Sequence, residues 1–213
     1  AVVEAVVGHA VMGMPLTLFS MFGLVALAGV VVALIHAFLS ITLRANQIVS
    51  GLALSIFAGA AGLSSYLGND LDLGNQPARH SFAPIDVFGL EDAPVVGPIL
   101  FGQTALVYAS WAAVVLVWLY LSRTRVGLNA RAVGESPAAA DAVGIDVTRY
   151  RYAHVLAGGA FAGVGGACFS LSITPQWVDG LTSGAGWIAI ALVIFAFWRP
   201  ELCLVGAYFF GAF

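Results

Sequence analysis

The sequence predicts an all-α integral membrane protein, a polytopic bundle of transmembrane helices with one short cytoplasmic helix and one broken or re-entrant segment. Three observations lead there. Hydrophobic residues make up 61% of the 213-residue chain and charged residues 9%, with a mean hydropathy of +0.97, whereas soluble domains are about a quarter charged. Apolar runs recur at the length of about 20 residues that a helix needs to cross a hydrocarbon core ~30 Å thick. The arginines gather in alternate loops, as basic residues do when they stay cytoplasmic.

The first expected span is 16–43, "LTLFSMFGLVALAGVVVALIHAFLSITL", with His36 its one titratable group. Arg44 ends it, and 46–67 forms the second, with polar residues gathered at its start. The third is 101–122 and the fourth 152–173. The piece 182–198 contains only eleven unbroken apolar residues, Ile188 to Trp198, enough for ~17 Å of helix. Either that helix starts near Thr182 and takes its glycines into the membrane, or the segment is re-entrant and covered by protein. A last span opens at 202–213. The chain starts without Met or a basic leader, and both ends are expected to be cuts within membrane-embedded material of a longer protein.

Orientation follows from the loops. Segment 123–151 contains Arg123, Arg125, Arg131, Arg149 and Arg151 and is expected inside. Alternation then places Arg44 and Arg199 inside too, and the loop 68–98, rich in acids and proline with Arg79 its one arginine, outside. The whole is read as a single transmembrane domain, 1–213.

All eight basic residues are arginine. Without lysine there is no Walker A lysine, Schiff-base lysine or lysine general base, so any ATP used must be hydrolysed by another polypeptide. No basic stripe exists to bind nucleic acid. Cys168 and Cys203 lie far apart in apolar runs, where packing is the expected role and no metal site or disulfide is expected. No catalytic residues are expected.

Within the arginine-rich loop, Ser136 suits an N-cap, Pro137 the first helical position and Gly144 the helix stop. They bound a helix of about two turns, too short to persist in water without a partner surface or the ends of the membrane helices to hold it. "AGGAFAGVGGA", 157–167, sets Gly159, Gly163 and Gly166 among small residues spaced for close helix packing. Asn46, Gln47 and Ser50 share a helical face, either capping the second span or lining a pathway. Trp177, Asp179, Thr182, Ser183 and Trp187 flank the broken segment. An interfacial aromatic belt explains the tryptophans, and substrate contact is the alternative, since broken helices hold substrates and aromatic rings stack on bases.

The stretch "GLNARAVGESPAAADAVGIDVTRYRYAHVLAGGAFAGVGGA", Gly127 to Ala167, resembles the coupling region and following helix of ABC-importer permeases of the branched-chain amino acid, sugar and nucleoside group. "NQIVSGLAL" (46–54) and "TPQWVDGLTSGAGWIAIALVIFAFWRP" (174–200) resemble its nucleoside-type branch. The resemblance implies a permease half in the bacterial cytoplasmic (inner) membrane. It pairs with a second, similar permease subunit, is fed by an extracytoplasmic substrate-binding lipoprotein and is driven by cytoplasmic ATP-binding-cassette ATPase subunits that hold ATP-Mg. It implies ATPase contact by Arg131, Glu135, Ser136, Ala139, Ala140, Asp141, Gly144 and Ile145, with transport by alternating access. Nucleosides are the implied substrate. Branched-chain amino acids or simple sugars are the alternative, and an autonomous secondary transporter is the rival class.

Overall fold

The computed structural model describes residues 16–59, 62–70, 101–169 and 180–211. In order it contains α1 (Leu16–Ala37) continued by a π turn (Phe38–Thr42), α2 (Gln47–Ala58), α3 (Leu63–Asp70), α4 (Ala105–Arg123), α5 (Arg125–Glu135), α6 (Pro137–Ala142), α7 (Val147–Cys168), α8 (Ala185–Phe195) and α9 (Pro200–Gly211). No β-strand occurs among the described residues. Three helical stretches, Phe22–Thr42, Gln47–Asp70 and Ala105–Arg123, are long and apolar enough to cross a membrane. The expected all-α membrane class therefore holds.

The side chains are distributed as a lipid solvent requires. The buried apolar residues among those described are Val25, Ala37, Val133, Ala140, Ala167 and Ala196, while Leu, Ile, Phe and Trp crowd the exterior. Lipid tails are as apolar as leucine, so helices gain little by hiding large side chains. They gain by backbone approach through small ones.

The chain divides into two compact units: Ala1–His80 with Asp146–Ser183, and Ser81–Ile145 with Gly184–Phe213. In the first, α1 packs along α7. A Cβ on Gly159 would collide with the Ala33 methyl and lie 2.6 Å from the Gly29 carbonyl oxygen, and one on Gly29 would run into the Gly159 carbonyl. A Cβ on Gly163 would likewise strike the Val25 carbonyl. The pairings Gly29 with Gly159 and Val25 with Gly163 make the two helices antiparallel. Gly166 departs from the packing role given it, since a Cβ there meets nothing within 4 Å. The antiparallel register puts Phe22, not a small residue, at its level.

Several expected boundaries move. The span 46–67 is two helices, α2 and α3, because the chain turns at Gly59 and Gly62. Gly62 donates its N–H to the Gly59 carbonyl at 3.0 Å, and a Cβ on it would strike the Phe57 carbonyl. The helix over the expected fourth span starts earlier than 152, at Val147, because Asp146 caps it, and it is not among the three long apolar stretches. Within 182–198 the helix covers only Ala185–Phe195, after a left-handed Gly184 at φ +85°. Thr182 and Ser183 thus stay in the preceding turn. The third span begins at Ala105, and the last helix is Pro200–Gly211. Helix α5 was not anticipated. Of the loop 68–98, residues 71–98 lie outside the described residues.

In the second unit, α9 packs on α4 and α8. Trp111 and Tyr208 rings meet at 6.4 Å, and Phe195 stacks on Phe209 at 5.9 Å. Gly206 is buried with a notional Cβ 3.3 Å from the Phe195 ring. Helix α8 stops in a two-bond turn, Trp198 N–H to Val193 O at 3.2 Å and Phe197 N–H to Ile194 O at 3.1 Å. Glycine normally fills that left-handed position, yet Phe197 and Trp198 hold φ +51° and +59°. Their side chains are 77% and 79% exposed, so little packing offsets the strain. Phe197→Gly is expected to stabilise the protein by about 1 kcal/mol, read as a higher unfolding midpoint in detergent. A lower midpoint would refute it.

Candidate functional site

The arginine-rich loop is built almost without slack. Thr124 ends α4 and caps α5: its hydroxyl donates to Tyr120 O at 2.7 Å and accepts from Gly127 N–H at 3.0 Å. Gly127 is buried, and a Cβ there would collide with the Tyr120 carbonyl, so α5 folds tightly back on the end of α4. Ser136 closes α5 by donating its N–H to Ala132 O at 2.9 Å, and its hydroxyl opens α6 by accepting from Ala139 N–H at 3.4 Å. Pro137 occupies the first turn.

The far end of α6 is a Schellman motif. Ile145 N–H bonds to Ala140 O at 3.0 Å and Gly144 N–H to Asp141 O at 2.9 Å, with Gly144 at φ +84°. The next residue, Asp146, already caps α7. Its carboxylate accepts from Arg149 N–H at 3.0 Å and pairs with the Arg149 guanidinium at 2.9 Å. The expected two-turn helix is therefore present, with its stop signals acting as their chemistry demands.

Side-chain placement sorts the residues implied for ATPase contact. Arg131, Glu135, Ser136, Ala139, Asp141 and Gly144 are exposed, and Ile145 is half-buried. Ala140 departs from the surface role: it is 3% exposed, and α6 packs on α5. A six-residue helix has one inward position per turn, and here Ala140 takes it while Ala139 and Asp141 face out.

A second cluster forms in the first unit, where α1 turns into α2. Ser40 donates its hydroxyl to the His36 carbonyl at 2.7 Å, a back-bond that competes with the helical ladder. The next turn widens to π geometry, Leu43 N–H to Phe38 O at 3.0 Å, and Arg44 leaves in the left-handed region at φ +52°. Such π turns are frequent at functional positions.

Asn46, Gln47 and Ser50 serve different ends. Asn46 caps α2, its side-chain oxygen accepting from Ile48 and Val49 N–H at 3.0 and 3.3 Å. Gln47 is exposed. Ser50 is 6% exposed, with its hydroxyl 3.1 Å from His36 Nδ1. His36 thus bonds a neighbouring helix and also lines an apolar groove of about 690 Å³ with Val32, Leu54, Ser64 and Ala162. The Thr42 hydroxyl, on the π turn, bonds the Tyr152 hydroxyl of α7.

Sequence reasoning missed Thr42 with Tyr152, 110 positions apart, because neither carries a local signal. It also missed Gly29, although Gly29 and Ala33 repeat at four residues the small-residue spacing noted in α7.

In the remaining group, Ser183 N–H bonds to Gly180 O at 2.7 Å in an exposed turn with Thr182. Trp187 lies exposed in the first turn of α8. Trp177 and Asp179 fall outside the described residues. Both cysteines are free thiols.

Comparison with known proteins adds to this geometry. The chain is 42% identical over 99% of its length to a Haloferax volcanii protein provisionally named as the glucose ABC transporter permease TsgC13. It is 36% identical over 88% of its length to the nucleoside ABC transporter permease protein NupC of Lactococcus lactis. To the guanosine ABC transporter permease protein NupQ of Bacillus subtilis it is 38% identical over 86%. It covers 61%, 59% and 58% of those proteins respectively, so it spans about three-fifths of the length of these relatives. No solved structure matches. The family model described as "Branched-chain amino acid transport system / permease component" matches residues 1–213, and the chain belongs to that family of membrane transport permeases.

Proposed function

We propose that this chain is the membrane-spanning body of an ABC importer permease that carries nucleosides by alternating access. The observation that carries the proposal is α6: a capped helix of six residues with Ala139 and Asp141 on its outer surface, Glu135 exposed at the end of α5 just before it, and both ends locked by hydrogen bonds. A helix so short keeps its shape only because of those locks, and its exposed face is small enough to enter a groove on a partner. The partner is a cytoplasmic ATPase holding ATP-Mg, consistent with a chain that has no lysine to cradle phosphate itself. The arginine distribution supports a cytoplasmic position for α5 and α6. A second permease subunit and an extracytoplasmic binding lipoprotein complete the assembly.

An autonomous ion-coupled transporter fits less well. Within Phe22–Thr42, Gln47–Asp70 and Ala105–Arg123, the only Asp, Glu, Lys or Arg residues are the terminal Asp70 and Arg123, so that apart from His36 these stretches lack the ionisable groups at depth that ion coupling needs.

The names of NupC and NupQ support the nucleoside assignment. Simple sugars are the second reading, favoured by the 42% identity to the protein provisionally named for glucose. Uptake of labelled guanosine by cells bearing the full-length permease and its partners is expected to fall with excess adenosine and to resist excess glucose, ribose or leucine. Competition by glucose but not by adenosine would transfer the assignment to sugars. Uptake that persists when the ATPase subunit is inactivated would refute the ABC mechanism.

A further inference from the structure

We infer that the corner between α4 and α5 binds the phosphate headgroup of an anionic phospholipid through Arg123 and Arg125. The inference is separate from the substrate reading and requires only that α4, Ala105–Arg123, crosses the membrane, for which it is long and apolar enough.

The corner is rigid. Thr124 ends α4 and caps α5 with two hydrogen bonds, and a Cβ on Gly127 would collide with the Tyr120 carbonyl. Arg123 and Arg125 therefore stand on either side of one fixed residue, and both are exposed. An arginine at the end of a span ordinarily extends outward to water. Arg123 instead turns back along α4: its guanidinium carbon lies 5.9 Å from the centroid of the Trp118 ring, on a residue five positions, or ~7.5 Å, further into the span. Tryptophans near the end of a span sit at headgroup level, so the cation is held at the depth of the lipid phosphates.

Among the described residues no carboxylate neutralises the two arginines. Arg149 is paired with Asp146, but Glu135, at the far end of α5, and Glu201, on the helix α9 that packs on α4, form no ion pair with Arg123 or Arg125. Two uncompensated guanidinium groups, each a fork of N–H donors, match the oxygens of a phosphate. The surface beside them suits an acyl chain. Leu119 and Leu116 fall on the Arg123 face of α4, four and seven residues back, and are 40% and 64% exposed. An apolar stripe leading away from the charges selects a phospholipid over free phosphate. Two positive charges without a nearby acid select an anionic lipid over a zwitterionic one.

The test is native mass spectrometry of the full-length permease in mild detergent, titrated with phosphatidylglycerol or with phosphatidylcholine of the same chains. Phosphatidylglycerol is expected to stay bound under conditions that strip phosphatidylcholine, and excess inorganic phosphate is expected not to displace it. Arg123→Gln and Arg125→Gln are each expected to weaken phosphatidylglycerol binding about fivefold, the contribution of one basic residue near an anionic headgroup. Their thermal midpoints without added lipid are expected to match the unaltered protein. Trp118→Leu keeps an apolar side chain but removes the ring that draws Arg123 inward, and is expected to weaken binding about twofold. Arg149→Gln removes the same charge from a position where Asp146 already offsets it, and is expected to leave binding unchanged. Equal retention of the two lipids, displacement by phosphate, an equal loss in Arg149→Gln, or normal binding with Arg123 and Arg125 both replaced would overturn the inference.

Discussion

Replacing Gly159 by leucine is expected to separate α1 from α7 and to reduce the yield of folded protein more than any other single change considered. The obstacle is backbone and not side chain: the Gly29 carbonyl oxygen would stand 2.6 Å from the new Cβ, and the Ala33 methyl would overlap it. A carbonyl fixed in a helix cannot rotate away, so the helices must move apart and lose dispersion contacts along their length. Overpacking commonly costs about 1–3 kcal/mol, and this site belongs at the upper end because neither helix offers a rotamer to adjust. In lipid no hydrophobic driving force compensates, since contact itself holds the pair together. Gly165→Leu supplies the control: on the same helix, a Cβ at Gly165 meets nothing within 4 Å. The prediction is a thermal midpoint in detergent lowered by several degrees for Gly159→Leu and nearly unchanged for Gly165→Leu. Equal midpoints would show that the α1–α7 contact does not hold the first unit together.

Ala139→Trp is expected to abolish coupled uptake while leaving the protein folded. Ala139 is exposed on α6 and the structure is free to accept a larger side chain there, whereas the ATPase groove proposed to receive α6 would have to close around an indole in place of a methyl. Loss of transport by about tenfold corresponds to only ~1.4 kcal/mol of contact energy, and an indole forced into a closed interface exceeds that. Ala140→Trp is the contrasting variant. With Ala140 3% exposed in a helix packed on α5, the indole displaces α6 itself, so this variant is expected to lose thermal stability as well as transport. Ala139→Trp with normal uptake and normal ATP consumption would remove α6 from the coupling surface.

The punctuation of α6 shows how much was legible before any coordinates. Ser136, Pro137 and Gly144 each carry a local conformational preference that acts within a few residues, so the sequence alone placed the ends of a two-turn helix. Apolar length is likewise a property of one segment, and three of the expected spans coincide with helical stretches long and apolar enough to cross a membrane. What that logic could not assign was inward against outward on α6, because Ala139 and Ala140 are the same residue and differ only in what α5 covers. It also could not see the break at Gly59 and Gly62, where glycines that would fit a helix interior instead let the chain pass close to the Phe57 carbonyl.

By itself the sequence determined the all-α membrane class, the caps and stops of α6 and the small-residue face of α7, all of which depend on neighbours along the chain. Only the tertiary structure decided that Gly29 and not a partner for Gly166 completes the α1–α7 contact, that Ser50 bonds His36, and that Thr42 meets Tyr152 across 110 positions. Those outcomes depend on the register between helices. Register is set by the summed fit of two whole surfaces, so it carries no mark in either segment read alone.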